Sequence, residues 1–408
     1  MYTILESKTR RVEKQVLDFT KDLISTPSIS LEEQDVARLV QKKMEELEYD
    51  KVFQDEWGNV VGVIYGQAAD PVVVLNSHMD TVPTEKEEWS DDPYEPHVKD
   101  GDLYGLGSSD CKGGLASQIF AGAILKHSML PLRGTLVVAA TVAEENGRSL
   151  GVKGLIDHTL PSLGLKPDYF ILGEPTALEL MYGHNGWVDL NILVEGQQPF
   201  HVEDVANDIY RDLEKSRFRR TDDGDDDIFQ VLPPEFENEG SLRRGTIQLS
   251  QNIDQNDSIQ ELAFNVKKSA SHLAENYGAV AVKVDVKQEN QTLYTGKTVM
   301  VRNVINAWAT DPYHPLIERA RQTLAAAGMP VKPTKWQLNR LQMGTAGSVL
   351  VNEYKIPTIG YGPGLLDAAH TANEKVPVDN LSKATYGTAA MIHGLIGVPV
   401  FGWTSDDI

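Results

Sequence analysis

Apolar positions fall into two textures along this chain. Val12, Val16, Phe19 and Leu23 recur at helical spacing, and Val36, Leu39, Val40 and Leu47 form a second such set behind Ser30-Leu31-Glu32-Glu33, which reads as a capping box. Two helices are predicted to open the chain. Between Lys51 and Gly66 the pattern turns β-like, with Gly58-Asn59 as the turn separating Val52-Phe53 from the run that starts at Val60. Three unbroken apolar stretches, Val72 to Leu75, Thr135 to Val142 and Tyr169 to Leu172, then read as buried strands of an α/β sheet. An apolar helix is expected from Leu115 to His127.

From Gly186 the second texture begins. Trp187 to Val194 alternates as a half-solvated antiparallel strand does, and a helix at Glu203 to Lys215, a strand at Thr246 to Leu249, a helix at Ile259 to Leu273 and a strand at Val280 to Val286 follow. This is the pattern of an inserted α+β domain. The first texture resumes with a helix that starts at Asp311-Pro312-Tyr313-His314-Pro315 and ends near Gly328, with proline near the first turn, then a strand at Pro357 to Tyr361 and a last helix from about Asn380 to Ile396. The predicted organisation is a catalytic domain in two parts, residues 1–184 and 301–408, interrupted by an inserted domain at 185–300. The only low-complexity stretch, Asp222-Asp223-Gly224-Asp225-Asp226-Asp227, reads first as an exposed loop and second as a cation-binding tract.

Composition narrows the partners. A chain of 408 residues with 41% apolar content can bury two or three domain cores. Its formal net charge of −21 argues against binding nucleic acid or an anionic membrane through a basic surface. One cysteine, Cys111, excludes an intrachain disulfide framework and suits a reducing cytoplasm. Met1 to Lys14 lacks the apolar core of a signal peptide, and runs such as Leu136 to Ala143 are too short to span a bilayer. A cytoplasmic, soluble protein is expected.

The strand ends carry the candidate chemistry. Side chains on a strand alternate faces, so His78 and Asp80, two apart at the end of the first apolar run, point the same way. Alone, the pair reads as readily as a polar surface contact. The second run ends in Ala143-Glu144-Glu145 and the third in Gly173-Glu174-Pro175-Thr176, and ligands gather outside the carboxyl ends of strands in open α/β sheets. Between them, Leu103 to Gly114 is a glycine-rich loop bearing Asp110, which suits close backbone approach. It lacks the glycine-lysine spacing of a phosphate-binding loop. His370 follows Gly362-Pro363-Gly364. The competing reading is a solvated acidic rim with structural histidines.

Taken in order, these five blocks resemble the co-catalytic zinc aminoacylase and carboxypeptidase family, which includes acetylornithine deacetylase, succinyl-diaminopimelate desuccinylase and glutamate carboxypeptidase. The resemblance implies a mixed-sheet zinc-hydrolase catalytic domain of α/β class with an inserted α+β, ferredoxin-like lid. It implies two zinc ions per chain, with cobalt or manganese as alternative occupants. Asp110 would bridge the ions, His78 and Glu174 would complete one set of ligands, and Glu145 and His370 the other. Asp80 would accept the proton on the far nitrogen of His78 and fix its tautomer. Glu144 would be the general base for a water acidified between the ions. Family members often carry a cis peptide after the bridging aspartate, here Asp110-Cys111, and Cys111 itself reads as a packing residue of the loop.

The match thins in the inserted domain. Gly196, His201 and Ala206-Asn207 resemble the lid pattern, in which a histidine holds substrate, but the segment between His201 and Asn207 is short. His201 therefore stands both as a substrate-binding candidate and as a surface residue at a helix start. Where relatives place an arginine for the substrate carboxylate, this chain has Ser250; Arg243, Arg244 and Arg340 are the possible substitutes. Ala346 stands where relatives often have aspartate. A homodimer through the lid stays open. The expected function is hydrolysis of an amide bond in a small N-acyl amino acid or peptide substrate. An aminopeptidase or dipeptidase of the same family and a non-catalytic metal-binding protein with a vestigial site are the alternatives.

Overall fold

The computed structural model describes residues 1–146, 148–220, 229–336 and 343–398. Arg340 and the aspartate tract at 222–227 lie outside the described residues. The larger of two principal sheets has nine strands and is mixed. At its centre Val72–His78 runs parallel to Thr135–Thr141 on one side and to Tyr169–Leu172 on the other, and Thr358–Gly360 continues the parallel set. Antiparallel strands Lys51–Gln54 and Val60–Ile64 complete one edge.

The unbroken apolar runs follow from burial on both faces. Val73 and Leu75 pack into a core shared with the helices Tyr2–Ile24, Gly113–His127 and Val378–Ile396, while Val72 and Val74 pack into a second core with Leu155, Leu160, Trp308 and Leu350. A strand covered on both sides has no polar face to show in its sequence.

The second sheet is built on Gly186–Gly196, flanked by Leu242–Ile253 and Val280–Val286, with Phe229–Val231 outside Leu242–Ile253. Helices Pro199–Arg220 and Ile259–Ala274 join these strands in a β-α-β-β-α-β order, and the spatial order of second, third, first, fourth strand is ferredoxin-like. Val188, Leu190, Ile192 and Val194 face its own core under the two helices, and the alternate positions 191, 193 and 195 are half-buried.

Two local readings need correction. Ser30 and Glu33 do not cap the helix Gln34–Glu46 with their side chains: the Ser30 hydroxyl donates to Asp80 (2.6 Å), and the Glu33 carboxylate accepts from the amide of Ala143 (2.9 Å). A serine followed three residues on by glutamate is the capping signature, but both groups are drawn to a longer-range partner. Asn59 is also more than a turn residue. Its side chain is buried, accepts from the Val142 amide (3.2 Å) and donates to the Gly151 carbonyl (2.9 Å), so it fastens the far end of the strand Thr135–Thr141.

A hairpin, Gln288–Thr292 with Thr298–Arg302, leaves the second sheet and docks on the first core. Leu293 is buried there, the Tyr294 hydroxyl donates to the Gly58 carbonyl (2.7 Å), and the Lys297 ammonium lies 3.7 Å from the centre of the Trp57 ring. Gly58 has φ +96°, and a Cβ there would stand 2.6 Å from the Tyr294 ring, so this contact needs glycine twice over. Truncating a buried leucine removes transfer energy and leaves a cavity. Leu293→Ala should therefore cost roughly 2–5 kcal/mol, whereas Leu242→Ala, at an exposed position, should cost less than about 0.5 kcal/mol; urea unfolding of the two variants beside wild type measures the contrast.

Candidate active site

Parallel pairing sets His78 beside Thr141 and Asn76 beside Leu172, so three strands end at one level and release their next residues into one space. There Asp110 lies between two imidazoles. Its Oδ1 is 3.1 Å from His78 Nε2 and its Oδ2 is 3.4 Å from His370 Nε2. Glu174 approaches the first imidazole (3.8 Å) and Glu145 the second (2.9 Å). Two groups able to hold a cation result, one of His78, Asp110, Cys111 and Glu174, the other of Asp110, Glu145 and His370, with Asp110 common to both.

The backbone around these side chains is held by buried acids. Asp80, fully buried, accepts from the amides of Glu144 (3.1 Å) and Glu145 (3.0 Å) and from the Ser30 hydroxyl. The His78 Nδ1–H donates to the backbone carbonyl of Asp80 (2.8 Å), with the carboxylate further off at 3.6 Å. The tautomer of His78 is thus set by a carbonyl, and the Asp80 carboxylate instead holds the strand end that carries Glu144 and Glu145. Glu33 extends that cradle through Ala143, a non-glycine residue at φ +52°.

Glu374 does the same for Asp110. Its two oxygens accept from the amides of Gly107 (2.7 Å), Ser109 (2.8 Å) and Asp110 (2.8 Å), across 264 residues of sequence in the last case. The Asp110-Cys111 peptide is cis, and Cys111 lies buried with its Sγ accepting from the His78 amide (3.2 Å). Burial pushes that thiol up, away from nucleophilic use. Lys112 is buried too and donates to the carbonyls of Leu23 (2.8 Å) and Thr26 (2.9 Å) at the carboxyl end of the first helix, and burial lowers its amine to about 7. The glycine-rich loop serves close packing: a Cβ on Gly114 would stand 1.7 Å from the Gly173 carbonyl oxygen.

Electrostatics tests whether this donor set suits cations. Burial, with the nearby charges of Asp110, Glu144 and Glu145, pushes Glu174 well up from the carboxylate range. Glu144, next to the Ser149 hydroxyl (3.3 Å), rises to about 8, chiefly through burial, with His78 opposing and Glu145, Asp80 and Asp110 adding to the rise. Burial would lower His370, but Glu145 and Asp110 outweigh it and carry the imidazole to about 11. Carboxylates crowded this way recruit protons onto themselves and their imidazoles when nothing else is positive. Oxygen and imidazole ligands around a shared carboxylate are what divalent zinc-like ions take, and the residues fit such ions.

His201 lies elsewhere. It sits in the helix Pro199–Arg220 with its ring edge-on to Tyr277, and it is in neither cation-binding group. Arg243 and Arg244 are consumed on the second sheet, the first by Glu203 (2.6 Å) and Asn238 (3.2 Å), the second by Glu195 (2.6 Å), Glu237 (3.1 Å) and Glu239 (2.5 Å). Sequence reasoning missed Glu33 and Glu374. Glu374 follows His370 by four residues but stands between Asn373 and Lys375, so nothing local marks it as buried or names its partner.

The fold and this site define a metal-dependent hydrolase with a separate lid-like sheet. Residues 74–393 match the model of peptidase family M20/M25/M40, and the chain belongs to that family. It is 25% identical over 402 residues to the uncharacterized protein YgeY of Escherichia coli K12, covering 92% of this chain and 93% of that one. It is 31% identical over 247 residues to succinyl-diaminopimelate desuccinylase of Stenotrophomonas maltophilia K279a, covering 57% and 63% of the two chains. Among solved structures, the dipeptidase Dug1p of Saccharomyces cerevisiae superposes with a TM-score of 0.70 at 14% identity over 97% of this chain and 98% of that one. A dinuclear metal-binding peptidase of the M20 family from Bacillus subtilis superposes with a TM-score of 0.69 at 13% identity over 95% and 99%. Both show the same fold.

Burial raises Glu374 to about 7 against the amides that favour its charge. A carboxyl whose pKa rises on folding holds its proton longer in the native state, so its contribution to stability is full below the unfolded value and is lost as pH climbs to the folded one. In chelator-treated protein the thermal midpoint should therefore fall between about pH 5 and pH 7, and Glu374→Gln, which has no proton to lose, should flatten that slope in a melting series across the range.

Proposed function

We propose that this chain is a two-zinc amidohydrolase that cleaves the amide bond of an N-acyl amino acid or a small peptide, with Glu144 as general base. The observation that supports this best is Asp110 set between His78 and His370, one carboxylate oxygen toward each, with a buried glutamate beside them that the ligand sets do not use. His78, Asp110 and Glu174 would hold one ion and Asp110, Glu145 and His370 the other. Zinc bound there, or cobalt or manganese in its place, supplies Lewis acidity toward the scissile carbonyl and lowers the pKa of water.

The protein's own part is positional and acid-base. Asp80 and Glu33 fix the backbone from Ala143 to Glu145, so adjacent residues take separate tasks: Glu145 turns to His370 (2.9 Å), and Glu144, which accepts from the Ser149 hydroxyl (3.3 Å) and joins neither ligand set, is left for the water. Glu144 takes a proton from the attacking water and passes it to the leaving nitrogen as the C–N bond breaks. It must be ionised to begin, and cations on its neighbours oppose the burial that otherwise raises it. The desuccinylase relative supports a deacylase reading and the Dug1p structure a dipeptidase one. Matched dipeptides with free and blocked amino termini separate them, because an aminopeptidase or dipeptidase needs the free amine. We place the reaction in the cytoplasm, on a small-molecule substrate; no helix among the described residues is long and apolar enough to cross a membrane.

Loss of a general base without loss of a ligand has a clear signature. Glu144→Gln should keep the wild-type metal content, measured by atomic emission, while kcat on a panel of N-acyl amino acids and dipeptides falls by roughly 10²- to 10⁴-fold. Hydrolysis untouched by this substitution, or no hydrolysis by metal-loaded wild type, would sink the reading.

A further inference from the structure

Two attachments hold the inserted domain, and they lie at opposite edges of the large sheet. The first is the chain itself. Leu180–His184 of the large sheet runs on through Asn185 into Gly186–Gly196 of the second, and the chain returns through Val304–Ile305 and Trp308–Ala309, which pair with those same two strands. The crossing is thus a two-stranded ribbon, with Asn185 and Gly186 on one strand and 306–307 on the other left unpaired within it. A few residues at the ends of elements are where domains hinge. By itself this ribbon would let the second sheet swing.

The second attachment is the hairpin of Gln288–Thr292 and Thr298–Arg302. Leu293 and Val301 are buried in the catalytic core. The Tyr294 phenol donates to the Gly58 carbonyl and accepts from the Gln54 side-chain amide, while Lys297 lies over the Trp57 ring. These partners belong to the strand Lys51–Gln54 and the turn after it, at the edge of the large sheet away from the ribbon. Val60 pairs with Ala140, so that turn also stands level with the strand end that delivers Glu144 and Glu145.

Distance decides what this second attachment does. From Val60–Ile64 the sheet order runs through Thr135–Thr141, Val72–His78, Tyr169–Leu172 and Thr358–Gly360 to Leu180–His184, five steps that span roughly 24 Å at the usual strand spacing. The three strands that deliver His78, Glu145 and Glu174 all lie between the attachments. A contact beside a hinge restrains a swing weakly, whereas one so far from it opposes the swing with a long lever arm. The contact is also unyielding, because close-packed side chains cannot slide without opening a void or meeting a clash.

We propose that this hairpin is a strap that makes the inserted domain a fixed bridge between the two edges of the catalytic sheet rather than a hinged lid. The inference goes beyond the reaction proposed above and holds whichever amide is cleaved. The mouth of the site then keeps one width, and no closing movement is needed to bring Trp187 against Arg148 on the loop of Glu144 and Glu145.

Spin labels read the separation of the two bodies directly. One label is carried by Met129→Cys in the catalytic domain and the other by Phe264→Cys in the helix Ile259–Ala274, both at exposed positions, while Cys111 is buried away from the reagent. In pulsed electron resonance the doubly labelled protein should give one narrow distance distribution, which moves by less than about 2 Å between chelator-treated and zinc-loaded samples. Tyr294→Ala and Gly58→Ala attack the strap from its two sides. Each should broaden the distribution or add a second distance while the circular dichroism of the fold is kept; Met300→Ala, exposed on the same hairpin, should change nothing. Lys297→Gln, which removes only the cation over Trp57, is the milder variant if either of the two fails to fold. A broad or two-peaked distribution in wild type, a shift beyond about 2 Å on adding zinc, or folded strap variants with the wild-type distribution overturn the proposal. None of these readouts depends on turnover, so the amidohydrolase reading stands or falls separately.

Discussion

Burying several carboxylates within reach of one another is the constraint on which this structure turns. Asp110, Glu174 and Glu144 are buried and Glu145 is half-buried at one set of strand ends, and like charges in a low-dielectric place destabilise one another steeply. Such a cluster persists only if it gathers protons or cations. Both imidazoles of the cluster, on His78 and His370, are driven toward their charged forms here, and a pair of divalent ions would meet the same demand with more charge in less room.

That demand explains how much of the surrounding fold is devoted to backbone. A ligand set works only if its side chains arrive at fixed places before the ion does. Parallel register brings three strand ends level, but the residues beyond a strand end have no ladder to hold them. Asp80, Glu33 and Glu374 take over that task, accepting between them the amides of six residues in the two ligand loops. Hydrogen bonds from amides to a carboxylate are among the stronger ones available. Ala143, Arg148, Ser149 and His370, four of the non-glycine residues at positive φ, lie in or beside these segments, where a stiff surround can hold strained backbone.

What the sequence made legible follows from the range of each interaction. The central strands could be read because burial on both faces leaves an unbroken apolar run, and the inserted sheet because one open face leaves alternation at Trp187 to Val194. Three of the five candidate blocks, at His78, Glu144-Glu145 and Glu174, could be read because each sits at the end of such a run, whereas Asp110 and His370 stand in loops marked by glycines. The roles of Ser30 and Glu33 were misread because their spacing satisfies a local rule, and only the tertiary structure shows that their partners are Asp80 and Ala143. Asp80 was expected to meet the far nitrogen of His78 through its carboxylate; its backbone carbonyl lies nearer (2.8 Å) than the carboxylate (3.6 Å), and alternation along a strand, which fixes a side chain's face, says nothing of the carbonyl beside it.

The docked hairpin gives the inserted sheet more than a covering role. Its tip holds Gly58 through Tyr294, and the neighbouring Asn59 holds Val142 and Gly151, which bracket the loop bearing Glu144, Glu145 and Arg148. At its other end Glu289 lies within the field of Arg148, and Trp187, on the first strand of the sheet, supports the guanidinium face. The second sheet therefore meets the surroundings of the Glu144-Glu145 loop at two separated points, one through packed backbone and one through the Trp187 ring and Arg148. A rigid-body movement of that sheet would disturb both together, so the positions of Arg148 and Glu144 are tied to the same element.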